Sequence, residues 1–159
     1  MSNTFLKKAT KKSTDDASDV RGTVQSLLDA IEAGGEDAAR EYARKFDRYD
    51  GNIVLSREEI DNASRSVPQR LKDDIRFAHD NVRRFAEAQK NTISDFSYEV
   101  RPGRIAGQRA IPCRAAGCYA PGGRYAHVAS ALMTATTAKV AGCGHITACS
   151  PPRPGVGIN

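Results

Sequence analysis

Apolar residues recur at helical spacing in the first part of the chain and predict two helices there. The first begins near Ser18 and ends at the Gly34-Gly35 pair, because glycine commonly terminates a helix. Its apolar stripe consists of Val20, Val24, Leu27, Leu28 and Ile31. A second, shorter helix is expected over about residues 37–46, and the Asp-Gly pair at 50–51 marks the turn that follows.

Two further helices are predicted before residue 92. Ser56 and Glu59 have the spacing of a capping box, so a helix is expected from there to about Ser66. Pro68 opens a longer helix that ends near Lys90. Its apolar face consists of Leu71, Ile75, Ala78, Val82, Phe85 and Ala86. His79 lies beside that face and is interpreted as an ordinary surface or packing residue.

The pattern changes from helical to strand-like after residue 92. Phe96, Tyr98 and Val100 alternate with polar residues, as in a half-buried strand, and residues 104–112 could return as its partner. A short apolar strand at 114–120, a Pro-Gly-Gly loop, a helix at about 128–141 and a strand at 145–149 then follow in order. These four elements predict one βαβ unit with parallel strands and a right-handed crossover.

The predicted fold class is therefore α/β, with an N-terminal helical arm followed by the start of an incomplete Rossmann-like parallel sheet. Residues 1–17 are expected to be a flexible basic tail, 18–92 the helical arm and 93–159 the first part of the α/β domain. A parallel sheet must be covered on both faces, and one βαβ unit cannot do this. We therefore expect a truncated chain whose α/β domain continues beyond residue 159.

The composition fits a globular protein, since 40% of the residues are apolar and 27% are charged. No apolar run approaches the roughly 20 residues of a membrane helix, and the lysine-rich N-terminus has no apolar signal core, so a cytoplasmic location is expected. The four cysteines are expected to be free, buried thiols. Their spacing, together with His145, matches no strong zinc pattern.

The charges are unevenly distributed along the chain. Residues 1–12 carry +4, residues 13–100 carry −6, and residues 101–159 carry seven Lys and Arg with no Asp or Glu. A long acid-free stretch favours an anionic ligand. Nucleic acid, a phosphate-bearing cofactor and an anionic substrate all remain open on charge alone, as does the interpretation that these are scattered solvated arginines.

The loop after the first parallel strand is the main candidate for chemistry. It follows Tyr119 and contains Pro121, Gly122 and Gly123, and open α/β sheets bind ligands where such strands end. The following helix N-terminus would favour phosphate. Arg124 could add an anion contact, and His127 at the helix entrance could touch a substrate. A tight turn without a ligand is the alternative, and this part of the chain offers no nucleophile–base pair.

Several sequence blocks in this order resemble the histidinol dehydrogenase family. The downstream blocks are 117–123 (GCYAPGG), 130–133 (SALM), 138–143 (AKVAGC) and 149–152 (CSPP). The upstream blocks are 29–38, 41–47 and 85–90. The resemblance covers roughly residues 18–152, and it corresponds to about the first third of a family member.

The resemblance implies an enzyme that depends on NAD and zinc and oxidises a primary alcohol through an aldehyde to a carboxylate. It implies that Tyr119 contacts NAD, that Pro121, Gly122 and Gly123 shape that site, and that the complete protein is a homodimer. The family's zinc ligands and its glutamate–histidine pair would lie downstream of Asn159. No catalytic or metal-ligating residue is therefore assigned in this chain, which is expected to be inactive alone.

The substrate indicated by the resemblance is one of two alcohols. Residues 74–78 (DIRFA), 117–119 (GCY) and 124–127 (RYAH) are most similar to the branch that includes sulfopropanediol 3-dehydrogenase. That branch oxidises sulfopropanediol to sulfolactate, whereas the histidine-pathway branch oxidises L-histidinol to L-histidine. The alternative function is a non-catalytic basic module for nucleic-acid binding or assembly. No nucleic-acid motif supports it, and neither nucleic acid nor membrane is expected as a partner.

Overall fold

The computed structural model describes residues 14–122 and 125–153, with side chains from residue 19 onward. Gly123, Arg124 and most of the predicted basic tail therefore lie outside the described residues. The chain divides into two compact units, Met1–Asp50 and Gly51–Asn159.

The first unit contains one long kinked helix. Helix α1 (Thr14–Tyr42) begins four residues before the predicted start and bends at Gly35, whose φ of 57° and ψ of −137° are not helical. Glycine is favoured there because a side chain disfavours positive φ. The two predicted helices are thus joined at the predicted break, and a π-helical turn (Ala43–Asp47) follows. The apolar stripe of α1 is largely exposed.

The second unit begins with helix α2 (Arg57–Ser66), which has the predicted capping box. The Glu59 amide donates to Ser56 Oγ at 3.2 Å, and the Ser56 amide donates to Glu59 Oε2 at 2.7 Å. Hydrogen bonding from Ser56, chiefly from its backbone amide, lowers the pKa of Glu59. The stabilisation from ionised Glu59 is therefore present above the ordinary carboxyl pKa and is lost as pH falls through the lowered pKa.

Replacing Ser56 with alanine should lower the free energy of unfolding by about 1 kcal/mol, because the Glu59 amide loses its acceptor. Urea unfolding of the complete gene product measures this change. Ser64→Ala is the matched control, since Ser64 is exposed on the same helix and its hydroxyl makes no cap. Equal stability of the two variants would show that the capping box contributes nothing.

Helices α3 (Gln69–Lys90) and α4 (Val128–Ala141) pack against each other. Ala86 of α3 and Thr136 of α4 are buried, and Lys90 Nζ donates to the Val140 carbonyl at 2.8 Å. The predicted apolar face of α3 is only partly correct. Leu71 and Phe85 are exposed, because α4 is the element that covers α3 in the described chain, and it reaches only part of that face.

Strands β1 (Phe96–Arg101) and β2 (Arg104–Gln108) form an antiparallel hairpin that turns at Gly103. The predicted half-burial of this hairpin is wrong. Every residue of both strands is exposed, because no described helix or strand packs against either face. The alternating sequence is sufficient to predict the strand but not the partner that would bury it.

Strands β3 (Ala115–Tyr119) and β4 (His145–Cys149) pair in parallel, and α4 connects them and packs against both. The predicted βαβ unit and its parallel pairing are confirmed, so the fold is mixed α/β. Of the four cysteines, Cys118 is buried, with 4% of its surface exposed. The expectation of buried thiols is wrong for Cys113 and Cys149, which are exposed because their positions have no covering layer.

Candidate functional site

The carboxyl end of the parallel strand pair presents an exposed tyrosine. Tyr119 is the last residue of β3, lies opposite Cys149 of β4 and is 60% exposed. Its neighbour Cys118 is buried, so strand alternation directs the Tyr119 ring to the opposite, uncovered face. The Ala120 amide donates to the Cys149 carbonyl at 2.8 Å, which continues the pairing beyond the last strand residue. This sheet edge is where open α/β proteins bind ligands.

The connection from β3 to α4 places several predicted site residues close together in the chain. Pro121 and Gly122 are half-buried beyond the end of β3, and His127 is the residue before α4. Gly123 and Arg124 lie outside the described residues, so their predicted roles stay predictions. The His127 side chain does not cap α4, but its carbonyl accepts from the Ser130 and Ala131 amides at 3.0 and 3.3 Å. The Val128 and Ala129 amides, which have no backbone partner among the described residues, therefore keep their capacity to bind an anion.

His127 has an aromatic neighbour that the sequence analysis missed. The rings of Tyr125 and His127 stack with centroids 4.4 Å apart, and His127 is half-buried while Tyr125 is exposed. Stacking orients the imidazole at the helix entrance. A second missed residue is Cys149, whose position beside Tyr119 depends on the strand register, which the sequence pattern did not specify.

The sheet edge lies in a part of the sequence that has basic side chains but no acidic ones. No carboxylate side chain occurs from residue 101 to residue 159, so the loop and α4 present no built-in anion to compete with a ligand. The shifted pKa values lie elsewhere. The pKa of Glu59 is lowered at the α2 cap, and the Glu87 carboxylate, by accepting a hydrogen bond, raises the pKa of Arg83 on α3. Both belong to helix surfaces and not to this site.

The described residues do not group the ligands that a zinc site needs. Within residues 14–122 and 125–153, no three His, Cys, Asp or Glu side chains come together as metal ligands. Of the three histidines, His127 stacks on Tyr125, His145 Nε2 lies 3.1 Å from Thr147 Oγ1, and His79 Nδ1 lies 3.6 Å from an Asp80 oxygen. Among the described helices, none combines the length and apolarity that a membrane span requires.

Comparison with known proteins identifies a family match over most of the chain. The family model described as histidinol dehydrogenase matches residues 10–159. Sulfopropanediol 3-dehydrogenase of Ruegeria pomeroyi is 66% identical over 154 residues, which is 97% of this chain and 35% of that protein. Histidinol dehydrogenase of Methanosarcina barkeri is 39% identical over 137 residues, which is 86% of this chain and 31% of that protein.

The same match is found among solved structures. The crystal structure of histidinol dehydrogenase from Elizabethkingia anophelis superposes with a TM-score of 0.79 at 27% sequence identity, and the match covers 96% of this chain and 34% of that one. The chain thus spans about a third of the length of the curated relatives it matches.

Proposed function

The chain belongs to the histidinol dehydrogenase family, and we propose that it provides the NAD-binding sheet edge of an alcohol dehydrogenase. The observation that carries the proposal is the exposed Tyr119 at the carboxyl end of a parallel strand, followed by a half-buried Pro-Gly segment and a helix N-terminus without a side-chain cap. An aromatic ring, nearby backbone and the first two helix amides suit the ring systems and phosphates of a dinucleotide.

The proposed roles follow from these positions. The Tyr119 ring stacks on or hydrogen-bonds to the cofactor, while the backbone of Pro121, Gly122 and Gly123 lies close to it. NAD would supply the hydride acceptor at this edge, with one NAD molecule used for the oxidation of the alcohol and a second for the oxidation of the aldehyde. Arg124 and the stacked His127 are proposed to face the substrate, with the Arg124 guanidinium suited to an anionic group.

The remaining chemistry is proposed to come from outside this chain. Among the described residues no three metal-ligating side chains come together, and no catalytic step is assigned to this chain. The relatives are nearly three times as long, and we propose that polypeptide corresponding to their remaining length completes the Rossmann-like sheet, supplies the zinc ligands and forms the homodimer. Residues 18–92 would then be the helical arm, and residues 93–159 the first part of that domain.

Sulfopropanediol is the proposed substrate. The 66% identity to sulfopropanediol 3-dehydrogenase exceeds the 39% identity to the M. barkeri histidinol dehydrogenase. A sulfonate also suits an acid-free segment that carries seven basic residues. Oxidation to the carboxylate, sulfolactate, would proceed through the aldehyde and would consume two NAD molecules, one hydride each, and one water that adds to the aldehyde and supplies the second carboxylate oxygen.

The experiment is to assay NADH formation by the zinc-loaded complete gene product with sulfopropanediol and, separately, with L-histidinol. We expect turnover with both hydride transfers completed and a kcat/KM for sulfopropanediol at least about tenfold above that for histidinol. A preference for histidinol would overturn the substrate assignment alone. Failure to oxidise either alcohol, in protein that binds zinc, would contradict the proposed function.

A further inference from the structure

A cleft lies between α3 and α4 and runs along α4 from Val128, its first residue, to Lys139 in its last turn. The cleft has a volume of about 350 Å³, within the size range of small-molecule sites. His79 lines it from α3, and six residues line it from α4. These are Val128, Ala131, Leu132, Ala135, Thr136 and Lys139. Four of the six are apolar and recur at spacings of three or four residues, so one face of α4 forms an apolar floor.

The buried Thr136 hydroxyl indicates that this floor takes a ligand with a polar group. Thr136 is 7% exposed, and its hydroxyl makes no hydrogen bond with any described residue. The hydroxyls of Thr134 and Thr137, by contrast, donate to the Ser130 and Met133 carbonyls at 2.8 and 2.5 Å. A buried hydroxyl without a partner is unfavourable unless another group completes its hydrogen bonding.

The charge on the cleft wall favours an anion as that group. Lys139 lies one helical turn after Thr136, on the same face of α4, and makes no ion pair with a described residue. None of the lining residues is acidic. The Asp80 carboxylate that neighbours His79, 3.6 Å from its Nδ1, is not part of the lining. The cleft therefore combines the positive charge of an exposed lysine, a hydroxyl donor and an apolar floor.

We propose that the cleft binds a small carboxylate with a short apolar body. The carboxylate accepts hydrogen bonds from Lys139 and Thr136, and the apolar body lies on Ala131, Leu132 and Ala135. An apolar side chain from neighbouring polypeptide would cover the floor but would leave the Thr136 hydroxyl and the ammonium without an acceptor. The proposal does not depend on the proposed function, because its two polar contacts, Lys139 and Thr136, are not among the residues proposed to bind NAD.

Titration of the complete gene product with hexanoate, followed by calorimetry, tests the site, with hexanol as the uncharged match. We expect saturable hexanoate binding and hexanol binding at least about tenfold weaker, because hexanol lacks the anionic acceptor. Absence of saturable binding, or equal binding of the two probes, would overturn the proposal. NAD affinity measured on the same protein reports separately on the sheet edge.

Two substitutions locate the binding within the cleft. Lys139→Met should weaken hexanoate binding about tenfold and Thr136→Val several-fold, whereas Lys72→Met, on α3 outside the lining, should leave it unchanged. Thr136→Val should also raise the melting temperature of the ligand-free protein, because it removes a buried hydroxyl without a partner. Unchanged affinity in both cleft variants would assign the binding to another place and contradict the proposal.

Chemical acetylation of the unaltered protein provides a test that does not depend on whether the variants fold. Mass spectrometry should show that hexanoate protects Lys139 but not Lys72 from acetylation. If Lys139 is already protected without hexanoate, the cleft is filled by the protein's own polypeptide and the proposal is wrong. If hexanoate leaves Lys139 unprotected, it does not bind there.

Discussion

Replacing Tyr119 with alanine in the complete gene product should weaken NAD binding by about 1–3 kcal/mol, or roughly five- to 150-fold in Kd. The change removes the ring that β3 presents at the sheet edge, while Cys118 and the strand pairing stay in place. Fluorescence titration with NADH or calorimetry with NAD measures the affinity.

Tyr98→Ala is the matched control for this result, because Tyr98 is similarly exposed, at 68% against 60% for Tyr119, but lies on the hairpin and not at the parallel edge. It should leave NAD affinity unchanged. A Tyr119 variant that keeps its fold and binds NAD as tightly as the unaltered protein would remove the tyrosine from the site.

Replacing Ala86 with aspartate should lower the free energy of unfolding by about 3 kcal/mol or more. Ala86 is 6% exposed on α3, the helix that packs against α4, so the new carboxylate would be buried without a partner. Chemical denaturation of the complete gene product measures the effect, with a matching loss of melting temperature.

Ala88→Asp controls for the charge itself. Ala88 is exposed and lies two residues further along the same helix, so it shares the unfavourable placement of an acid near a helix C-terminus. Its expected effect is below about 1 kcal/mol. Equal destabilisation by the two aspartates would show that α3 does not pack through Ala86.

The elements with strong local signals are the ones that the sequence predicted well. Helix α4 and strand β4 have the predicted bounds, because Gly142 ends the helix with a left-handed φ of 98° and Pro151 follows the strand. Capping at Ser56 and the break at Gly35 also follow from local residue chemistry. Such features depend on neighbours within one turn of the chain, which the sequence supplies directly.

Burial was predicted less well, because it depends on partners far away in the sequence. Phe85 has the periodicity of a core residue and Tyr98 the alternation of a covered strand, yet both are exposed where no described element reaches them. The relatives are longer than this chain and contain further polypeptide that could cover such faces. Periodicity identifies the apolar face of a helix or strand, but whether another element covers that face depends on the tertiary structure.

The candidate site could be predicted only in part, because some of its residues are neighbours in the chain and others come together only through tertiary structure. Tyr119 and the Pro-Gly turn form one continuous segment, so their placement together follows from the strand–loop–helix pattern. Cys149 lies at the site because the parallel register pairs it with Tyr119, thirty residues earlier in the chain. The burial of the Thr136 hydroxyl could not be predicted, because it depends on the packing of α3 against α4.

The most direct measurement is a crystal structure of the complete gene product with NAD bound. We expect cofactor density against the Tyr119 ring and along residues 121–123, with a phosphate near the N-terminus of α4. Density for NAD at any other place in the protein, with the Tyr119 ring free of it, would show that this sheet edge is not the cofactor site.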